Sequence, residues 1–359
     1  MKIKQVVARI ARVPADEPLT GVNMPGGATR AFVLATITTG DGVEGIGLTF
    51  FGGALTRALK VAVEELGALI VGDDPLHIEA INEKLRVAAG SSGPAGIFTL
   101  AQAALDIALW DIKGKLLGLP LIALLGGSRD HVPVYASGAL MRTFSIQDVE
   151  RAAVKLVEIG FTEMKTQLAL PGASCPEKEI ERIRVIRECV GPHVGLMCDI
   201  NQRWSVPEAI SIGRRLADFH LSWLEDVTAH DDYLGLAHVT RQLDTPVAGG
   251  EYVYGITPFR HMLEARSVDI VMIDLFRVGG ITQWLKVAGM AEAFNVKVVS
   301  HLIPEVHVHL IGAIPNGLIV EYMPWTLPLF DDPPLPKNGQ LVVPSTPGLG
   351  LTFARNLFK

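Results

Sequence analysis

Cysteine is scarce: Cys175, Cys189 and Cys198 are the only three in 359 residues, and no CxxC spacing occurs among them. A disulfide framework and a cysteine zinc site are therefore excluded, which leaves three reduced residues of core or helix. Charge of one sign is lacking too. Lys and Arg number 32 against 38 Asp and Glu, a net charge of -6, and the basic residues are scattered singly. No cationic field exists that could hold nucleic acid or an anionic membrane. No segment reaches about 18 apolar residues without a charge, and the start, MKIKQVVARIARVPADE, has neither a long apolar stretch nor a small-residue cleavage site. A cytoplasmic protein is expected. Aromatic residues are few, at 6%, but 49% of the chain is hydrophobic, which supplies a large core and excludes disorder. The fingerprint GxGxxG after a first strand is missing as well, against a dinucleotide-binding open sheet.

What is present has two textures. Residues 2–13 alternate loosely, and runs at 31–38 and 45–49 flank Asp41-Gly42, a dipeptide suited to a tight hairpin. Between them lies the Pro- and Gly-rich stretch 15–29, and three helical patterns follow at 55–71, 76–89 and 99–117. From Val132 onward, eight short apolar runs alternate with helical patterns: 132–136, 163–167, 194–199, 221–225, 246–251, 268–274, 296–301 and 318–321. Near-continuous apolar strands alternating with helices imply a parallel sheet covered on both faces, and eight such units make a (β/α)8 barrel. Ser174 with Glu177 and Ser205 with Glu208 fit capping boxes at helix starts. The expected fold is α/β, a TIM-type barrel over 129–325 with an α+β capping domain over 1–128. The segment 326–359, rich in Pro and Gly, is expected to run back and complete the cap.

Ionisable residues recur at the ends of these runs: Lys165, Asp199, Glu225, Glu251, Asp274, His301 and Glu321. From Asp199 the intervals are 26, 26, 23, 27 and 20 residues, about one βα unit each. Successive side chains are thus expected at one height, the C-terminal mouth of the barrel, where chemistry sits in this architecture. Asp199, Glu225 and Glu251 on consecutive strands would repel one another unless a cation neutralised them. Oxygen ligands alone favour a hard divalent ion, Mg²⁺ or else Mn²⁺. Asp274 and His301 on the next two strands pair as a dyad in which the carboxylate fixes the imidazole's tautomer. His307 and His309 form an HxH, but on a helix they point to different faces and read as structural.

The motifs MKTQ at Lys165, MCDINQ at Asp199, WLED at Glu225, GGE at Glu251, IDLFRVGGIT after Asp274, SHL at His301 and IVEY at Glu321 stand in one order and spacing. Together they resemble the mandelate racemase subgroup of the enolase superfamily along essentially the whole chain. The resemblance implies a cap whose loops close over a Mg²⁺-bearing barrel, and removal of the proton α to a carboxylate to give an enediolate that the metal stabilises. It implies that Asp199, Glu225 and Glu251 are metal ligands, that Asp274 and His301 are the dyad, and that Lys165 and Glu321 meet the substrate carboxylate. Asn201 would lie near the α-hydroxyl. It also implies a homo-oligomer, often an octamer.

The sequence departs from that family at one position. The second barrel strand usually ends in Lys-x-Lys, whereas here it reads Lys165-Thr166-Gln167. A glutamine amide accepts no proton near neutrality, so the second base is missing. Racemisation needs a base on each face of the α-carbon, while loss of a 3-hydroxyl runs from one side. A hydroxy acid or sugar acid dehydratase is therefore favoured over a racemase or epimerase. Two other readings stay open: Lys165 turns into the base role, or Gln167 binds a substrate hydroxyl while another residue supplies the proton. The cap segments 14–30 and 49–53 would set substrate choice, through Asn23, Thr29 and Arg30 as polar contacts and Met24, Phe50 and Phe51 as apolar walls. A metal-dependent hydrolase would place HxH on the first barrel strand, and 132–138 has no His. A barrel that only binds is opposed by the complete ligand set and dyad.

Overall fold

The computed structural model describes residues 1–19, 27–50, 52–93, 95–172 and 174–357. Three antiparallel strands, β1 (Ile3–Pro14), β2 (Thr29–Thr39) and β3 (Glu44–Thr49), form the cap sheet in the order β1-β2-β3. The Asp41-Gly42 turn lies where expected, with Gly42 at φ 83 and Thr39 bonded to Val43. Helices Thr56–Leu69, Ile78–Ala89 and Ile97–Leu117 follow. The last is buried on nearly every face because it is packed by β3 on one side and by the barrel on the other. Gly47 allows that approach: a Cβ there would stand 1.9 Å from the Ala104 carbonyl oxygen.

The barrel strands are β4 (His131–Leu140), β5 (Glu163–Gln167), β6 (Gly195–Asp199), β7 (Trp223–Glu225), β8 (Val247–Gly249), β9 (Ile270–Asp274), β10 (Lys297–His301) and β11 (Val320–Tyr322). All pair in parallel from β10 through β4 to β11. No β10–β11 ladder forms among the described residues; Val298 closes the ring through hydrogen bonds with Asn316 and Leu318. The result is a nearly closed eight-stranded barrel with an antiparallel capping sheet. The interior is packed rather than hollow. Tyr135, Met197, Trp223, Ala248, Met272 and Val299 form a buried layer beneath the mouth, with Tyr135 edge-on to Trp223 at 5.4 Å.

The C-terminal segment meets both units. Its strand Gln340–Val342 pairs antiparallel with the start of β4, and the Leu349 N–H then donates to Asp111 Oδ1 of the cap at 2.9 Å. Ser205 and Glu208 make the expected capping box, but Ser174 does not. The cap position there is Cys175, one residue later, because Pro176 has no N–H to bond and its fixed φ already suits the first helical turn.

Candidate active site

The strand ends hold the predicted side chains at the mouth, though not all at one height. Asp199 pairs in register with Gln167 and Glu225, and Asp274 with His301. Lys165 sits two residues lower, on the same face as Gln167, and its long side chain rises into the site. Glu251 lies two residues beyond the end of β8, after Gly250 at φ 128, a backbone turn that glycine adopts without strain.

Asp274 does two tasks. Its Oδ1 caps the short helix Leu275–Val278, accepting from the N–H groups of Phe276 and Arg277 at 2.8 and 2.7 Å. That leaves Oδ2 for His301 Nδ1 at 2.6 Å. Burial raises the Asp274 carboxyl, but Arg277 and the His301 hydrogen bond outweigh it and hold it down at about 2. His301 turns its other nitrogen, Nε2, toward Glu251 Oε2 at 3.3 Å. Burial would lower the imidazole, yet the charges of Glu251 and Asp274 push it up to about 9. After His301 the chain passes through two left-handed residues, Leu302 and Ile303, at φ 55 and 39. That strain aims the Leu302 N–H at Glu321 Oε2, 2.7 Å away.

Lys165 is held between two carboxylates, 2.5 Å from Glu225 Oε1 and 2.8 Å from Glu321 Oε1. Its desolvation is outweighed by these charges, which keep it protonated. Glu321 is likewise depressed to about 2: burial raises it, and Lys165, His301 and the Leu302 N–H more than compensate. Glu225 also accepts the Trp223 indole N–H at 3.0 Å. Gln167 Nε2 reaches Asn201 Oδ1 at 3.2 Å, and Asn201 donates to the Tyr252 hydroxyl at 3.2 Å. The Asn201 backbone is left-handed, at φ 48, fixed by its N–H on Asp199 Oδ1 at 2.7 Å.

The carboxylates need a cation. Glu225, Asp226 and Glu251 are buried with oxygens within 4.8 Å of one another. Burial and mutual repulsion push Glu225 and Asp226 well above the usual carboxylate range. Asp199 is lifted to about 6 by burial and by Glu251, despite Lys165 and Arg142. Asp226 Oδ2 is buried without a hydrogen-bond partner among the described residues. An all-oxygen, charge-starved set of this kind fits a hard divalent ion.

A cavity of about 170 Å3 opens onto this ground, lined by Lys165, Gln167, Asp199, Asn201, Glu251, His301 and Glu321. Glu225 and Asp274 stand behind that lining. Phe50, Met141, Tyr252, Arg277, Leu302, Met323 and Trp325 complete the wall. Thr29 and Arg30 face a neighbouring concavity, while Asn23, Met24 and Phe51 lie outside the described residues. Sequence reasoning missed Asp226, although the Glu225-Asp226 pair at a strand end was the available signal. It also missed Arg142, which is buried and bonds the Asn201 side chain and the Asp199 carbonyl. His307 and His309 are both buried in structural contacts, with Leu302 O at 2.7 Å and Leu349 O at 3.0 Å.

Comparison with known proteins adds to this geometry. Residues 6–126 match the family model "Mandelate racemase / muconate lactonizing enzyme, N-terminal domain", and residues 148–357 match "Enolase C-terminal domain-like". The L-talarate/galactarate dehydratase of Salmonella typhimurium is 33% identical, over 98% of this chain and 89% of that protein. The 3,6-anhydro-alpha-L-galactonate cycloisomerase of Streptomyces coelicolor is 32% identical, over 98% and 97% respectively. Among solved structures, L-talarate dehydratase from Polaromonas sp. JS666, complexed with Mg and L-glucarate, superposes with a TM-score of 0.92 at 32% identity, covering 99% of this chain and 96% of that one. The relatives matched are mostly sugar acid dehydratases, with cycloisomerases among them. Among the described residues no helix is long and apolar enough to cross a membrane.

Proposed function

This chain belongs to the mandelate racemase/muconate lactonizing enzyme family of the enolase superfamily, and from that premise we propose that it is a Mg²⁺-dependent lyase that dehydrates a hydroxy acid or sugar acid. The observation that carries the reading is an asymmetry of bases. His301, backed by Asp274 at 2.6 Å, faces the cavity, whereas Gln167 offers only an amide and Lys165 is an ammonium clasped by Glu225 and Glu321.

Asp199, Glu225 and Glu251 would hold Mg²⁺, with Asp226 beside them. When bound, the ion supplies positive charge against the negative charge that develops on the substrate carboxylate as its α-proton leaves. Lys165 presents a second positive charge to that carboxylate, and Glu321 fixes the ammonium in place. Engaged by the ion, Glu251 would no longer hold a proton on His301, whose Nε2 then takes the α-proton while Asp274 holds the Nδ1–H and stabilises the imidazolium. The same Nε2–H then passes its proton to the departing 3-hydroxyl, which leaves as water, and the product is a 2-keto-3-deoxy acid. Gln167 and Asn201 bond substrate hydroxyls. A symmetric homo-oligomer belongs to the same reading.

Incubation with Mg²⁺ and a panel of hydroxy acids in D₂O, followed by NMR, tests the mechanism. His301→Asn is expected to lose both α-proton exchange and product. Exchange near the parent's rate would make Lys165 or another residue the base, and a racemase or epimerase would replace the dehydratase.

A further inference from the structure

Arg142, in the turn after β4, is a buried cation that forms no ion pair among the described residues. The turn that carries it is anchored from behind, because Arg182 of the helix Pro176–Val190 donates to the carbonyls of Leu140 at 3.0 Å and Met141 at 2.6 Å. Arg142 therefore enters the site from a fixed base. Its guanidinium donates to the Asn201 side-chain oxygen and, at 3.4 Å, to the Asp199 carbonyl, while its backbone N–H meets Gln167 Oε1 at 3.4 Å. A guanidinium has no lone pair to offer, so the Asn201 atom that faces it must be Oδ1. Gln167 Nε2 supplies that oxygen with a second donor at 3.2 Å. The Asn201 Nδ2 is thereby turned the other way, to the Tyr252 hydroxyl at 3.2 Å.

Tyr252 ends this row and lines the reaction cavity. Its ring is held in place by Arg277, whose guanidinium lies 5.0 Å from the ring centroid and donates to the Glu251 carbonyl at 2.8 Å. A phenol keeps its proton at neutral pH, and the Tyr252 oxygen already accepts from Asn201. Its own O–H has no acceptor among the described residues. Each bond runs one way, from Arg142 to Asn201 to Tyr252, so what the row offers to the cavity is a donor. A substrate oxygen there must accept. We propose that Tyr252 is a substrate-binding residue that donates its O–H to the C2 or C3 hydroxyl oxygen of the acid, and that Arg142 is a positioning residue that sets the direction of this bond through Asn201. The inference rests on the hydroxy acid reading of the site and deepens it.

DL-Glycerate, the smallest 2,3-dihydroxy acid, and propionate, its counterpart without hydroxyls, are the probes, each titrated calorimetrically into Mg²⁺-loaded protein. The ratio of their affinities separates hydroxyl contacts from carboxylate contacts. Tyr252→Phe removes only the phenolic oxygen. It is expected to lower the ratio about threefold to tenfold, with Mg²⁺ affinity and unfolding temperature near the parent's. Arg142→Gln is expected to lower the ratio similarly, and the double variant no further, because both changes break one row. Arg142→Lys keeps a cation that only donates and is expected to retain most of the ratio. A ratio unmoved by Tyr252→Phe, or already near one in the parent, overturns the contact. Additive losses in the double variant, or a loss in Arg142→Lys equal to that in Arg142→Gln, overturn the positioning role; where Arg142→Gln does not fold, the Arg142→Lys ratio alone decides it. Product formation over the hydroxy acid panel is followed separately. A ratio that depends on Tyr252, with no 2-keto-3-deoxy acid from any panel member, keeps the contact and removes the dehydratase reading. Product formation with a ratio indifferent to Tyr252 does the reverse.

Discussion

Trp223 donates its indole N–H to Glu225 Oε2 across 3.0 Å, while Glu225 Oε1 lies 2.5 Å from Lys165 Nζ. Both oxygens of this fully buried carboxylate are therefore oriented before any ligand arrives. Glu225→Gln keeps the size and removes the charge. It is expected to weaken Mg²⁺ binding by at least about tenfold and to abolish turnover. Calorimetric titration of chelator-treated protein measures the affinity directly, and parent-like binding would remove Glu225 from the ligand set.

The Asp274 carboxylate both caps a helix and holds His301, so Asp274→Asn separates the two tasks. An amide oxygen still accepts from Phe276 and Arg277, but the pair no longer stabilises an imidazolium. A loss of about 10²- to 10⁴-fold in kcat is expected with little change in unfolding temperature. Steady-state kinetics and thermal unfolding on the same sample decide it.

His309 donates from Nε2 to Leu349 O at 3.0 Å and accepts at Nδ1 from the Ile122 N–H at 3.3 Å, a neutral ring fitted on both sides. Burial depresses it to about 4 from an ordinary value of 6.5. Above pH 6.5 it is neutral folded or unfolded and has no pH-linked effect. Between about 6.5 and 4 the unfolded chain takes a proton that the folded chain refuses, so stability is lost as pH falls. The loss is about 3 kcal/mol. Denaturant unfolding of parent and His309→Gln at pH 7.5 and 4.5 isolates this group from the other titrating residues. The variant is expected to lose less on acidification, and parallel losses would discount it.

Asp106 of the cap accepts the Thr282 backbone N–H at 3.0 Å, its hydroxyl at 2.6 Å and the Asn82 amide at 2.6 Å, all buried. Asp106→Ala strands three donors between cap and barrel. A destabilisation of about 3 kcal/mol is expected, with Mg²⁺ affinity preserved. Unfolding curves and metal titration together check it; a stability within about 0.5 kcal/mol of the parent would refute the estimate.

Much of this was legible in the sequence because burial on both faces writes a barrel strand as an unbroken apolar run. The turn to a polar residue then marks the mouth, as at Asp199, Asp274 and His301. Other features had no local signature. Arg142 reads as an ordinary surface cation until the fold buries it against Asn201. The Glu17–Trp325 bond joins residues 308 apart, and the Asp106–Thr282 bond residues 176 apart, so neither leaves a periodic trace. The Glu251 height was missed because Gly250 lets the chain turn after the strand has ended. The Ser174 cap was expected wrongly because the spacing fitted, while Pro176 fixed the helix start one residue later.

The bond from Leu349 to Asp111 has a consequence for how the protein is made. The cap leaves the ribosome before the barrel does, yet one oxygen of its buried Asp111 waits for an amide synthesised 238 residues later. At about 5–20 residues per second that is roughly 10–50 s of translation during which the cap must persist incomplete. A unit that emerges ahead of the barrel is thus finished only after it, and a nascent chain truncated before Leu349 would present that unfinished cap to chaperones and proteases.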